Sequence, residues 1–95
     1  MAFNVYVYIS NQLQGQFGVS SEKANASADN IIVNYANCAK VPVNTVLQLS
    51  PTNIKFCFDN CYAAAHTKYP NDIDKFEKAL IECMCKCAKS MTTQQ

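Results

Sequence analysis

The sequence contains no arginine and no tryptophan, and it has only two glycines and a single histidine. All eight basic side chains are therefore lysines, and the net charge at neutral pH is +1. Arginine reads guanine and phosphate through two parallel hydrogen bonds, so its absence disfavours nucleic-acid binding. A membrane span needs about 20 consecutive apolar residues, and no segment approaches that length, so a membrane role is disfavoured as well.

Motifs of catalysis and of nucleotide binding are also missing. The chain has no glycine-rich phosphate loop, no paired-histidine metal motif and no nucleophile elbow. His66 is predicted to face solvent, and without a free thiolate beside it the imidazole has no nucleophile to activate. We therefore expect a protein that is not an enzyme, with no catalytic residue, cofactor or metal site.

Apolar residues are abundant, at 49%, and six cysteines occur in only 95 residues. A chain of this length forms one domain, here 1–95, with a modest core. Disulfides commonly stabilise such domains, and they form in oxidising compartments. The start MAFNVYVYIS lacks the basic segment of a signal peptide, so we expect either a mature secreted form or another route to an oxidising place.

The periodicity of apolar residues predicts a mainly α fold, with a small α+β arrangement as the variant. Residues 3–9 alternate apolar and polar side chains, and 15–19 can return antiparallel to them, which predicts an N-terminal β-strand or hairpin. Serine caps and prolines place three helices along the rest of the chain. These helices are predicted at about 20–40, 51–68 and 72–90, and the last two form an α-helical hairpin.

The cysteine spacing identifies the contact between the two helices of the hairpin. Cys57 and Cys61 are four residues apart, as are Cys83 and Cys87, so each pair lies on one face of its helix. Pairing 57 with 87 and 61 with 83 centres both pairs on residue 72, beside the break predicted at 69–72. The sequence therefore predicts the disulfides Cys57–Cys87 and Cys61–Cys83.

The middle cysteine of the string CMCKC points the other way. Cys85 is two residues from each neighbouring cysteine, which rotates it by about 200° around the helix. Its predicted partner is Cys38, at the end of the preceding helix. The alternative is one zinc ion held by the four hairpin cysteines, but structural zinc sites favour C-x2-C turns over straight helices.

The paired C-x3-C arms, with CFDNC at 57–61, resemble two groups of twin C-x3-C proteins. These are the small chaperones of the mitochondrial intermembrane space and the plant α-hairpinin peptides. The resemblance covers 57–87, and for the chaperones it implies a hexameric assembly that binds unfolded clients. Here 21 residues separate the arms, more than those families use, and Cys38 and Cys85 form an additional pair.

Candidate binding residues follow from the predicted elements. On the predicted strand, tyrosines lie opposite the core on an uncharged edge, which predicts either intramolecular cover or pairing with a second copy as a homodimer. Tyrosine is enriched at interfaces, and the candidates for binding a partner are Tyr6, Tyr8, Tyr62 and Tyr69. If the chain instead carries a small apolar ligand, the residues predicted to line the cavity are Ile31, Ile32, Phe58, Phe76 and Met84.

Two further patterns concern the helix surfaces. Asn25 begins the sequon Asn25-Ala26-Ser27, which is a glycosylation candidate in a secretory pathway only. Asp74 with Lys78, and Glu82 with Lys86, are spaced to form ion pairs along one helix.

These observations favour a small secreted, non-enzymatic binding protein. A toxin, effector, pheromone or similar extracellular ligand needs a rigid scaffold that survives outside the cell, and disulfides provide it. The expected partner is a protein receptor or target. The first alternative is a carrier of a small apolar ligand or lipid, and the second is a twin C-x3-C chaperone-like protein of an oxidising organelle.

Overall fold

The computed structural model describes residues 4–40, 42–44 and 51–93, and within them it contains four α-helices and no β-strand. We number the helices in chain order: α1 is Val5–Phe17, α2 is Ser21–Ala39, α3 is Pro51–Lys68 and α4 is Ile73–Thr93. The prediction of a mainly α fold stapled by disulfides is confirmed. In the described part of the chain the helices number four, where three were predicted.

The predicted N-terminal strand and hairpin are wrong, because residues 5–17 form α1. Asn4 caps the helix by accepting a hydrogen bond from the Val7 amide at 3.2 Å. Val5, Ile9 and Leu13 are all buried. Residues four apart lie on one face of a helix, and the same even spacing also fits one face of a strand. Val7, which a strand would bury beside them, is 47% exposed.

The second predicted strand, 15–19, is divided between the end of α1 and the connection to α2. Gly18 ends α1 in the left-handed conformation, with φ of 64°, and its N–H donates to the Gln14 carbonyl. Glycine adopts this conformation without steric cost, so Gly18 acts as a helix C-cap. Residue 3, the first residue of the predicted hairpin, lies outside the described residues.

The other three helices lie close to their predicted positions. Ser20 caps α2 by accepting from the Lys23 amide at 3.2 Å, and Lys40 ends that helix with φ of 61°. The Asp72 carboxylate accepts from the Lys75 amide at 3.1 Å, so α4 begins one residue later than predicted. It also extends past residue 90, to Thr93.

The helices bury one hydrophobic core. Helix α4 packs on both α2 and α3, while α1 packs on α2 and, to a smaller extent, on α3. The largest side chains that are almost fully buried come from all four helices: Val5, Ile9, Leu13, Ile31, Ile32, Ile54, Phe58, Phe76, Leu80 and Met84. None of the helices described is long and apolar enough to cross a membrane.

Candidate binding surface

Three disulfides connect α4 to two of the other helices. Cys57–Cys87 and Cys61–Cys83 join it to α3, with Cα–Cα distances of 5.8 and 5.7 Å. Cys38–Cys85 joins it to α2, with a Cα–Cα distance of 5.4 Å. The structure therefore contains the same three pairs that the helical spacing predicts. It leaves none of the six thiols free for zinc, and three disulfides fit an oxidising environment.

Tyr6 and Tyr8 do not form the outward face expected from a strand. Both are half-buried, and they lie on opposite flanks of α1 because two residues turn a helix by about 200°. The Tyr6 hydroxyl donates to the Asn25 carbonyl on α2 at 3.2 Å. Tyr8 reaches the other way, to α3, so the two tyrosines attach α1 to its two neighbours.

Tyr8 joins a polar contact between α1 and α3. Its hydroxyl donates to Asp59 at 2.7 Å, and Asp59 also pairs with Lys55 at 2.6 Å. The Lys55 ammonium lies 5.0 Å from the centre of the Tyr8 ring. Burial and the hydrogen bond to Asp59 raise the pKa of Tyr8, and the hydrogen bond to Asp59 raises the pKa of Lys55.

Tyr62 belongs to an aromatic cluster rather than to the open surface. Its ring is 5.3 Å from Phe58 and 5.1 Å from Phe76, and it stacks on His66 at 6.0 Å. The Tyr62 hydroxyl is buried and has no hydrogen-bond partner among the described residues. Burial is the main cause that raises the pKa of Tyr62, and the nearby Tyr8 raises it further.

His66 is half-buried, where the sequence predicted a solvent-facing side chain. Its Nε2 lies 2.8 Å from Gln16 Nε2 on α1, and its ring makes an edge contact with Phe17 at 6.0 Å. The imidazole therefore helps to position α1 on α3. The sequence could not show this, because both partners lie in the segment that was predicted as a strand.

The five residues predicted to line a ligand cavity all belong to the core. Each is at most 2% exposed, and they pack with other buried apolar residues: Ile31, Ile32, Phe58, Phe76 and Met84. The side chain of Asn25, the glycosylation candidate, already makes a contact within the chain, because its Oδ1 accepts a hydrogen bond from the Ser10 hydroxyl at 2.6 Å. Ser27 of the same sequon is buried in α2, so the folded helix does not present the sequon as an extended segment.

The outer face of α3 is an exposed surface that the sequence patterns did not predict. Phe56 is 55% exposed, which is the largest exposure among the big apolar side chains described. Other uncharged, exposed residues lie on the same side of the helix, and we call the set the α3 outer face: Asn53, Phe56, Asn60, Ala63, Ala64 and Thr67. The cysteine spacing could have indicated this face, since it fixes which side of α3 meets α4.

The polar side chains of the α3 outer face turn back to their own helix. Asn60 donates to the Phe56 carbonyl at 2.7 Å, and Thr67 donates to the Ala63 carbonyl at 2.8 Å. Their hydrogen-bonding groups are therefore partly satisfied before any partner arrives, which lowers the cost of removing them from water. Phe56 is the one large apolar side chain among these uncharged residues.

Comparison with known proteins adds no identification, because no protein family, curated protein or solved structure matches the chain.

Proposed function

We propose that the chain is a small secreted, non-enzymatic binding protein that contacts another protein through the α3 outer face. The observation that supports this proposal is the exposed Phe56 on a helix that two disulfides hold against α4. Aromatic side chains are enriched at the centres of protein interfaces, where a few residues carry most of the binding energy. The three disulfides support an extracellular setting.

Rigidity is what makes this face suitable for recognition. Cys57 and Cys61 fix α3 one residue after Phe56 and again one turn later, so the helix surface is already ordered before binding. Ordering a surface in advance removes part of the entropy cost of association. Burying a whole phenylalanine side chain is worth roughly 1.5–3 kcal/mol, so covering the exposed part of Phe56 adds usefully to affinity.

The partner is expected to offer an uncharged, apolar groove. The α3 outer face carries no charged residue. The charged residues beside it, Lys55 and Asp59, already form an ion pair with each other. Binding of this kind follows the mode in which a helix lays one face into a hydrophobic groove. Its affinity should change little with salt, since screening acts on charged contacts.

Phe56 replaces Tyr6, Tyr8 and Tyr62 as the proposed binding residue, because these tyrosines make contacts within the chain. Tyr6 and Tyr8 use their hydroxyls in contacts within the chain, and Tyr62 is packed in the aromatic cluster. The carrier alternative finds no support in the arrangement of its proposed lining, because those five side chains are packed into the core.

The test is competition for binding sites on intact cells of the source organism. The oxidised chain carries a fluorescent label, and unlabelled variants compete at raised ionic strength, which suppresses charge-driven adsorption. Phe56→Ser should compete at least about tenfold more weakly than the wild type, as expected for an interface residue of large effect. Val7→Ser is the matched control, because it removes the other exposed large apolar residue, on α1, and should compete like the wild type.

Two outcomes contradict the proposal. Equal competition by the wild type and by Phe56→Ser removes the α3 outer face from the binding site. Recovery of the protein only inside cells, with its cysteines reduced, removes the secreted setting.

A further inference from the structure

The solvent side of α4 carries a row of lysines. Residues 75, 78, 82, 86 and 89 follow one another at steps of three, four, four and three. At about 100° per residue these steps keep all five within an arc of about 80°, and the row is about 21 Å long. We call the row the α4 basic stripe, and its charged members are Lys75, Lys78, Glu82, Lys86 and Lys89.

Two acidic residues near the start of α4, Asp74 and Glu77, contact α2. Asp74 pairs with Lys23 of α2 at 2.9 Å, and Glu77 accepts from Asn30 of α2 at 2.9 Å. The ion pair between Asp74 and Lys78 that the sequence predicts is therefore replaced by a contact between helices. These two carboxylates are therefore engaged with α2, while the four lysines of the stripe are exposed.

Most lysines of the stripe have no carboxylate to neutralise them. Lys75, Lys78 and Lys86 are exposed, and none forms an ion pair with any acidic residue that the structure describes. The predicted pair of Glu82 with Lys86 is absent as well. Glu82 is the one acidic residue among the five positions of the row, and the other four are lysines.

A cleft continues the stripe at the hairpin turn. It has a volume of about 250 Å³ and is lined by Lys68, Tyr69, Lys75, Lys78, Ala79 and Glu82. Lys68 is a fifth lysine at this site, and it forms no ion pair with the described carboxylates. Tyr69 and Ala79 provide a half-buried apolar wall, and an aromatic ring of this kind can pack against the face of a sugar.

The geometry points to a second binding site, distinct from the α3 outer face, in which the α4 basic stripe and its cleft hold a linear sulfated polysaccharide. A straight row of point charges about 21 Å long matches a chain that carries sulfate groups at intervals. Lysine binds such groups as a compact charge and needs no bidentate geometry. A net charge of +1 does not prevent this, because the positive charge is concentrated along one side of α4.

Two other polyanions fit the stripe less well. Nucleic-acid recognition commonly uses arginine and several stacking aromatic residues, and the stripe has no arginine and one adjacent tyrosine. An interfacial membrane helix needs large apolar side chains beside its lysines. The exposed large apolar residues described, Val7 and Phe56, lie on α1 and α3 instead.

The first measurement is retention of the oxidised chain on immobilised heparin and on chemically desulfated heparin. We expect retention that requires sulfate and that is lost as the NaCl concentration rises, because screening weakens charge contacts. Titrations with a duplex DNA oligonucleotide and with vesicles of phosphatidylcholine and phosphatidylserine run in parallel. Equal retention on the desulfated matrix, or tighter binding to DNA or to the vesicles, overturns the assignment.

Paired variants locate the site. Replacing Lys78 and Lys86 by glutamine should weaken heparin binding roughly tenfold to thirtyfold, at about fivefold per lysine. The control replaces Lys40 and Lys55 by glutamine, which makes the same change in net charge away from the stripe. An equal loss in both double variants means that net charge, and no particular site, attracts the polysaccharide.

A variant that binds heparin more tightly tests the site without ambiguity, because a misfolded protein would bind more weakly. Glu82→Gln removes the one negative charge of the stripe and should tighten heparin binding about fivefold. Glu22→Gln makes the same chemical change in the first turn of α2 and should leave binding near the wild-type value. If the two variants bind alike, the stripe is not the binding site. Neither variant touches the α3 outer face, so this result does not decide the proposed protein partner.

Discussion

Helix α1 and the α3–α4 hairpin both contribute fully buried side chains to the core but are held in different ways. Val5, Ile9 and Leu13 of α1 are at most 1% exposed, and Cys57 and Cys61 of the hairpin are at most 2% exposed. The hairpin is closed by two disulfides, whereas α1 contains no cysteine. Attachment of α1 rests on apolar packing and on hydrogen bonds to α2 and α3.

This difference separates two sources of stability. A disulfide restricts the unfolded chain as well as the folded one, so the hairpin helices remain near each other even when packing fails. Packing contacts exist only in the folded state. The face proposed to bind a protein lies on the covalently fixed part, and α1 is the element whose position depends on side chains alone.

Reduction of the disulfides should abolish the difference between the two regions by unfolding the whole chain, and this is the largest effect that we expect. The three bridges span 22, 30 and 47 residues, and chain entropy assigns each about 3–4 kcal/mol, without full additivity for the two nested bridges. A small domain has a total stability of about 5–15 kcal/mol, so the reduced chain should unfold. Circular dichroism follows the helices, and mass spectrometry should show a gain of six hydrogens.

Peptide mapping of the oxidised chain provides the control for this experiment. Proteolysis without reductant should release peptides linked through Cys38–Cys85, Cys57–Cys87 and Cys61–Cys83 and no other pairs. Full helicity in the reduced and alkylated chain would show that packing alone holds the hairpin, as it holds α1, and the two regions would then not differ.

A cavity in α1 should produce the next largest effect. Ile9 is fully buried, and Ile9→Ala should lower the free energy of unfolding by about 2–5 kcal/mol in urea titrations. Val7→Ala on the exposed side of the same helix should change it by no more than about 0.5 kcal/mol. Hydrogen exchange of the Ile9→Ala protein should show faster opening of α1 than of α3 and α4.

Uniform exchange throughout the Ile9→Ala protein would contradict that expectation. It would mean that α1 and the hairpin unfold as one cooperative unit, whatever holds each of them locally.

The same two regions differ in how well the sequence predicts them. The hairpin was predictable because two independent signals agree: the C-x3-C spacing on each arm and the break at Tyr69-Pro70. In α1 the signals conflict, since Val5, Val7 and Ile9 fit an alternating strand while Val5, Ile9 and Leu13 fit a helix. Asn4 and Gly18, which cap α1, favour the helix, whereas the β-branched and aromatic composition of the segment favours a strand.

Surface sites were predictable only in part, because their definition needs the neighbouring helix. The lysine spacing of the α4 basic stripe is visible in the sequence. The ion pair that engages Asp74, however, is formed with Lys23, which lies 51 positions away in the chain. Local spacing instead suggested Asp74 with Lys78. Likewise, tyrosine composition suggested binding residues, while burial of Tyr62 against Phe58 and Phe76 shows a packing role.

Alkaline pH should weaken the attachment of α1 to α3, and this is the smallest effect that we expect. The pKa values of Tyr8 and Tyr62 are raised in the folded chain, in both cases with burial as the largest cause. A free tyrosine ionises near pH 10, so above that pH the unfolded chain loses protons that the folded chain still holds. The free energy of unfolding therefore falls as the pH rises past about 10, and it levels off above the folded pKa values.

Urea titrations between pH 8 and pH 11 measure this loss, and tyrosinate absorbance follows the ionisation. Replacing both Tyr8 and Tyr62 by phenylalanine should flatten the dependence on pH. The single variant Tyr62→Phe should cost little stability at neutral pH, because its buried hydroxyl has no partner among the described residues. An unchanged pH dependence in the double variant would place the alkaline loss elsewhere, with Tyr35 of α2 the next candidate because burial raises its pKa too.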